Sequence, residues 1–147
     1  MQISSRFTIA THILVVIALE GDSRLTSEVI AGSVGVNPVI IRKTLSQMKK
    51  GGLISVARGT GGAKLERPAE ELSLLEVYQA VESLGSQGQL FRFHDNPNPA
   101  CDIGRNIHGV LDGKLRAAQV AMEEELSKTS LADLIEEAKS LIQADLA

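Results

Sequence analysis

Residues 26–52, TSEVIAGSVGVNPVIIRKTLSQMKKGG, leave the chain few ways to fold. Thr26 or Ser27 offers a side-chain oxygen to the start of a helix, Glu28 falls in its first turn, and Val29, Ile30 and Ala31 follow. That helix is expected to stop near Val34, because Gly35 stands where a left-handed residue is wanted after a helix end. A second start comes at once. Asn37 caps it, and Pro38 takes the first helical position, where the missing N–H is no loss. Gly51 and Gly52 close it. Ile41, Leu45 and Met48 share one stripe, which leaves Val39, Arg42, Lys43, Ser46 and Lys50 facing largely away from it. Two helices joined by a Gly-containing turn, the second basic on its outer face, make the pattern of a helix-turn-helix.

The next stretch, GGLISVARGTGGAKLERP, holds two short strand-like runs around a tip of Arg58, Gly59, Thr60, Gly61 and Gly62. A phosphate-cradling loop would place Lys and Ser/Thr directly after its glycines and then open a helix. Ala63, Lys64 and Leu65 follow instead, so a hairpin is the better reading. Hairpin and helices together predict a winged helix-turn-helix, with the third helix in a DNA major groove and the hairpin as a wing. Arg58 is then a cation aimed at phosphate or a narrow minor groove.

Charge divides the chain in the same place. Residues 1–67 hold nine Lys/Arg against four Asp/Glu, and residues 68–147 hold six against fourteen, so +5 and −8 give the net −3. Only the first part is suited to a polyanion. Aromatic residues are scarce, which favours a core of Leu, Ile, Val and Ala built from helices. A first helix runs from Arg6 to Leu19, with Phe7, Ala10, Ile13, Leu14 and Ile17 on one face, and Gly21-Asp22 ends it. No stretch reaches the roughly 18 apolar residues of a membrane span, and the start of the chain reads as this helix and not as a signal peptide. A cytoplasmic protein is expected.

Beyond Pro68, AEELSLLEVYQAVESLG predicts a connecting helix with Leu72, Leu75, Val77 or Tyr78, Val81 and Leu84 inward and a Ser73/Glu76 capping box. SQGQLFRFHDNPNPA reads as an irregular loop. A long helix then runs from Asp102 to about Ser127, with Ile103, Ile107, Leu111, Leu115, Ala118, Met122 and Leu126 spaced to share a face. At roughly 1.5 Å per residue it outgrows its own domain, and a second copy of the chain is the expected partner. Ser130 and Asp133 cap a last helix, Leu131 to about Ala144, that can fold back onto the pair. The expected architecture is mainly α: a DNA-binding winged helix-turn-helix over 1–67, a connecting helix and loop over 68–100, and dimerisation helices over 101–147.

These blocks, in this order, resemble the Rrf-two family of bacterial winged-helix transcriptional regulators. The likeness covers nearly the whole chain: EVIAGSVGVNPVIIRKTLSQMKKGGLISVARGTGGAKL, LSLLEVYQAVE, and a long helix ending in KTSLADL. It implies a homodimer on a palindromic operator in double-stranded DNA, with helix three and the wing reading DNA and the long helices crossing at the interface; the expected role is that of a repressor. The DNA-facing residues expected on this basis are Ser5, Thr26, Asn37, Val39, Ile40, Arg42, Lys43, Ser46, Arg58, Gly59 and Thr60. Cluster-binding members carry three cysteines between the connecting and long helices. This chain has Cys101 alone, matching the last of them, so it looks like the cluster-free branch and no cofactor or metal is expected. Ala63 stands where many members have another glycine, which leaves the backbone of the wing open.

Several residues carry two readings. Arg42 and Lys43 can reach base edges or form a solvated face, and Val39 and Ile40 can meet a thymine methyl or pack under the wing. Cys101, just before the long helix, is a candidate redox sensor or an inert thiol. His94, Asp95 and His108 are too scattered to predict a metal site with it, and Glu123, Glu124 and Glu125 read as a solvated face. The alternative to a DNA-binding regulator is a protein-interaction module acting on a partner enzyme through the acidic half. A thiol enzyme lacks any His/Asp constellation around Cys101 at interpretable spacing, so no enzymatic activity is expected.

Overall fold

The computed structural model describes residues 4–21, 25–57, 62–82 and 88–147. In chain order they form α1 (Arg6–Glu20), α2 (Ser27–Val34), α3 (Pro38–Lys50), β1 (Ile54–Val56), β2 (Ala63–Leu65), a 3-10 turn (Ala69–Glu71), α4 (Leu74–Val81), α5 (Asp102–Ser127) and α6 (Leu131–Asp145). Two compact units result, one of residues 1–82 with 126–147 and one of residues 83–125.

The first unit is organised around α1, whose Ala10, Ile13, Leu14 and Ile17 are buried as their helical spacing predicts. Phe7, at the edge of that face, meets Tyr78 of α4 edge-on with ring centroids 5.9 Å apart. α2 begins where Thr26 Oγ1 accepts from the Val29 N–H at 3.2 Å. It ends at Gly35, whose φ of 79° puts it in the left-handed region while its N–H donates to the Ala31 carbonyl. In α3 the buried stripe is Ile41, Thr44 and Met48, with Leu45 only half-buried. A threonine is tolerated inside because its hydroxyl donates to the Ile40 carbonyl at 2.8 Å, leaving no polar group unpaired. β1 and β2 pair antiparallel, Ile54 opposite Leu65 and Val56 opposite Ala63. Leu53, Ile54 and Ala63 are buried in the same core.

The connecting segment departs from a single continuous helix. Leu72 takes an extended conformation between the 3-10 turn and α4. The cause lies far along the chain: the Leu72 carbonyl accepts from Leu131 N–H at 2.7 Å, and Leu74 N–H donates to the Thr129 carbonyl at 2.9 Å. Ser73 and Ser130 thereby form an antiparallel bridge. Each of these serines also heads a capping box, Ser73 with Glu76 and Ser130 with Asp133. The expected box at each helix start is present, and the two starts are joined. α6 accordingly buries Leu131 and Ile135 in the core of the first unit, where the sequence had suggested the long helices as its neighbour. The expected inward residue Leu84 lies outside the described residues.

The second unit consists of irregular backbone from residue 88 to 101 and most of α5. Asn98 organises the turn into the helix, its side-chain oxygen accepting from Ala100 N–H at 2.9 Å and its carbonyl from Cys101 N–H at 3.1 Å. The turn lies so close to α5 that a Cβ on Gly104 would stand 2.6 Å from the Asn98 carbonyl oxygen. Farther along, Gln119 accepts from Leu90 N–H at 3.0 Å and donates to the Gly88 carbonyl at 2.8 Å. No residue of α5 is buried.

Candidate nucleic-acid interface

The outer face of α3 follows from its inner one. With Ile41, Thr44 and Met48 in the core, the 3.6-residue repeat turns Val39, Ile40, Arg42, Lys43 and Ser46 to solvent, and all five are exposed. Val39 and Ile40 stay 61% and 43% accessible. Asn37 Oδ1 accepts from the Val39 N–H at 2.8 Å and so fixes the start of the helix. Thr26 does the same for α2, so these two expected contact residues first serve as caps. Ser5 precedes α1 and is exposed, its carbonyl accepting from Ile9 N–H and from the Thr8 hydroxyl. At the wing, Ala57 N–H donates to the Gly62 carbonyl at 3.2 Å, and Ser55 and Lys64 face solvent. Arg58, Gly59 and Thr60 lie outside the described residues.

One residue of this surface escapes a reading of helix faces. Glu28, in the first turn of α2, accepts from Arg42 Nη1 at 3.4 Å, with both side chains more than half exposed. The guanidinium thus stands between a carboxylate and open solvent. The pairing depends on how α2 and α3 pack; fourteen residues of separation gave no sign of it.

Behind the interface, Arg67 Nη2 and Glu76 Oε1 pair at 2.6 Å, tying the end of the wing to α4. Burial raises the Glu76 carboxyl pKa, but the Arg67 hydrogen bond and charge, with the Ser73 N–H and hydroxyl, hold it below its usual value.

Cys101 is exposed, and the N–H groups of Gly104 and then Ile103, pointing back from the first turn of α5, pull its thiol pKa down. His94 and His108 do not converge on it. Phe93 stacks against both imidazoles, with centroids 4.7 Å from His94 and 3.7 Å from His108, and His108 Nδ1 lies 3.2 Å from Asp112. Among the described residues no group of three or more His, Cys, Asp or Glu side chains is placed to hold a metal ion. In the same residues no helix is long and apolar enough to cross a membrane.

Residues 3–137 match the family model Rrf2 (Rrf-two), described as an iron-dependent transcriptional regulator. YwnA of Bacillus subtilis (strain 168), named as an HTH-type transcriptional regulator, is 42% identical over 133 residues, covering 90% of this chain and 96% of its own. A crystal structure described as that of a DNA binding protein superposes with a TM-score of 0.73 at 36% identity, over 89% of this chain and 99% of its own. T. potens IscR shares the fold at a TM-score of 0.68 and 18% identity, over 94% of this chain and 88% of its own. Among the described residues no donor set matches the iron of the family description, because a single thiolate with two dispersed imidazoles does not make a centre within one chain. Fold, exposed α3 face and these likenesses agree, and the chain belongs to the Rrf2 family of transcriptional regulators.

Proposed function

We propose that the protein is a cytoplasmic, homodimeric repressor that binds a palindromic operator through α3 and the wing. The observation that carries this is the solvent-facing set Val39, Ile40, Arg42, Lys43 and Ser46 on a helix whose opposite side buries Ile41, Thr44 and Met48. A rigid helix offering an arginine, a lysine and apolar tips matches what a major groove presents to a reader: guanine acceptors and thymine methyls. Ser5, Thr26, Asn37 and the wing tip Arg58–Thr60 serve as flanking contacts, positioning the helix on the backbone. The dimer reading is supported by α5, where Ile103, Ile107, Leu111, Leu115, Ala118, Met122 and Leu126 all stay unburied within one chain. A helix of 26 residues with such a face has every reason to pair.

Cys101 is the proposed signal input. An exposed thiol already biased toward thiolate by two backbone N–H groups reacts with oxidants and electrophiles faster than an ordinary cysteine. The decisive experiment is fluorescence anisotropy on the promoter of its own gene and on a shuffled duplex, with molecular mass in solution measured alongside. Sequence-selective binding by a dimer is expected, Arg42→Ala relaxing selectivity and Arg58→Ala weakening binding to every duplex. A monomer, or equal affinity for both duplexes, would refute the reading. Repeating the titration with a thiol oxidant on wild type and Cys101→Ser tests the sensor separately; identical responses would remove it.

A further inference from the structure

The loop before α5 is fastened to that helix at two places. At one, Gln119 holds the backbone of Gly88 and Leu90. At the other, Phe93 lies on His108. From His108 to Gln119 the helix makes about three turns, roughly 16 Å. The loop arches over this span and leaves a cavity of about 520 Å³ lined by residues of the second unit alone. Such a volume lies within the few hundred to a thousand Å³ of small-molecule sites. Phe91, Phe93, Leu115 and Val120 supply apolar wall.

The charges in the wall are unequal in their commitments. Asp112 faces His108 Nδ1 at 3.2 Å, and Glu123 accepts from Gln119 Nε2 at 3.0 Å. Arg116, on the same stripe of α5, has no hydrogen-bond or ion-pair partner among the described residues. A guanidinium presents a planar fork that fits a carboxylate, and two phenyl rings nearby favour a flat apolar body. We propose that this cavity binds a small aromatic carboxylate, with Arg116 on the carboxylate and the ring against Phe91 and Phe93. Two fastenings hold the loop before any ligand arrives, so little ordering accompanies binding.

The test is isothermal titration of the full chain, without DNA, with benzoate and indole-3-acetate, each beside its neutral amide, and with acetate as the ringless control. Saturable binding of at least one aromatic acid is expected, about tenfold or more tighter than its amide, since a charge-assisted pair is replaced by a neutral one. Acetate should bind more weakly than either acid. Arg116→Gln should reproduce the loss and Arg116→Lys should recover part of it, with circular dichroism confirming that each variant folds. No saturable binding by either acid at millimolar concentration overturns the proposal; a cavity closed by the second copy of the proposed dimer would give that result. Equal affinity for acid and amide, or an unaffected Arg116→Gln, overturns it too. DNA plays no part in the measurement, so a failure of the operator reading leaves this result standing, and the reverse.

Discussion

Replacing Glu28 by Gln should tighten operator binding, and the size of the effect follows from its contact with Arg42. The two side chains are 54% and 68% exposed and meet through a single contact at 3.4 Å. Exposed pairs of this kind are worth about 0.2 to 1 kcal/mol. In the proposed complex Arg42 leaves Glu28 to reach a base or a phosphate, and the lost pair opposes association by that amount. Removing the carboxylate should therefore improve affinity by up to about fivefold at moderate salt. Loss of one negative charge beside the polyanion adds to this, and that part shrinks as salt rises.

A cycle of Glu28→Gln, Arg42→Ala and the double variant separates the two contributions. Anisotropy titrations at two salt concentrations should show most of the high-salt gain vanishing in the Arg42→Ala background, with a coupling of at most about 1 kcal/mol. Glu28 also lies in the first turn of α2, where a carboxylate stabilises the helix start by about 0.3 to 1 kcal/mol. Thermal unfolding of the same variants keeps that term apart from binding. A Glu28→Gln protein that binds more weakly while equally folded, or a gain that persists in full without Arg42, would refute the reasoning.

Three further outcomes are expected. Asn37→Ala removes the oxygen that accepts from Val39 N–H and should lower stability by about 0.5 to 2 kcal/mol in a denaturant titration, with operator affinity falling as the start of α3 frays. Gly104→Ala sets a methyl group against the Asn98 carbonyl and should cost about 1 to 3 kcal/mol unless the turn moves; a moved turn should slow alkylation of Cys101 below its ordinary titration range, and an unchanged rate with unchanged stability would count against the described packing. The Glu76 pKa is lower in the folded chain than in the unfolded one, so its contribution is complete above the unfolded value and is lost as pH falls through the folded one. Glu76→Gln should therefore flatten the acid limb of stability, from the ordinary carboxylate range downward, read from denaturant midpoints.

Local signals in the sequence anticipated most of the first unit. Thr26, Gly35, Asn37, Pro38 and the serine caps mark helix ends through chemistry confined to four or five residues, and the structure places those ends accordingly. The α3 stripe was nearly legible. Thr44 displaced Leu45 from the inner row because a hydroxyl bonded within its own helix can be buried cheaply. Illegible features depend on contacts distant along the chain: the break at Leu72, the burial of α6 against α1, the Glu28 contact with Arg42, and the fastening of Gly88 and Leu90 by Gln119. No periodicity or cap encodes which helix start will lie beside which. The expected wing contacts Arg58, Gly59 and Thr60 fall outside the described residues.

The joined helix starts at Ser73 and Ser130 bear on how such a chain can change over evolutionary time. They close the first unit with its own backbone, so residues 83–125 between them are an excursion that leaves and rejoins an already closed frame. An insertion, deletion or wholesale exchange within that excursion leaves the seam and its two capping boxes intact. New sensing chemistry can then be grafted there while the frame that presents α3 is preserved.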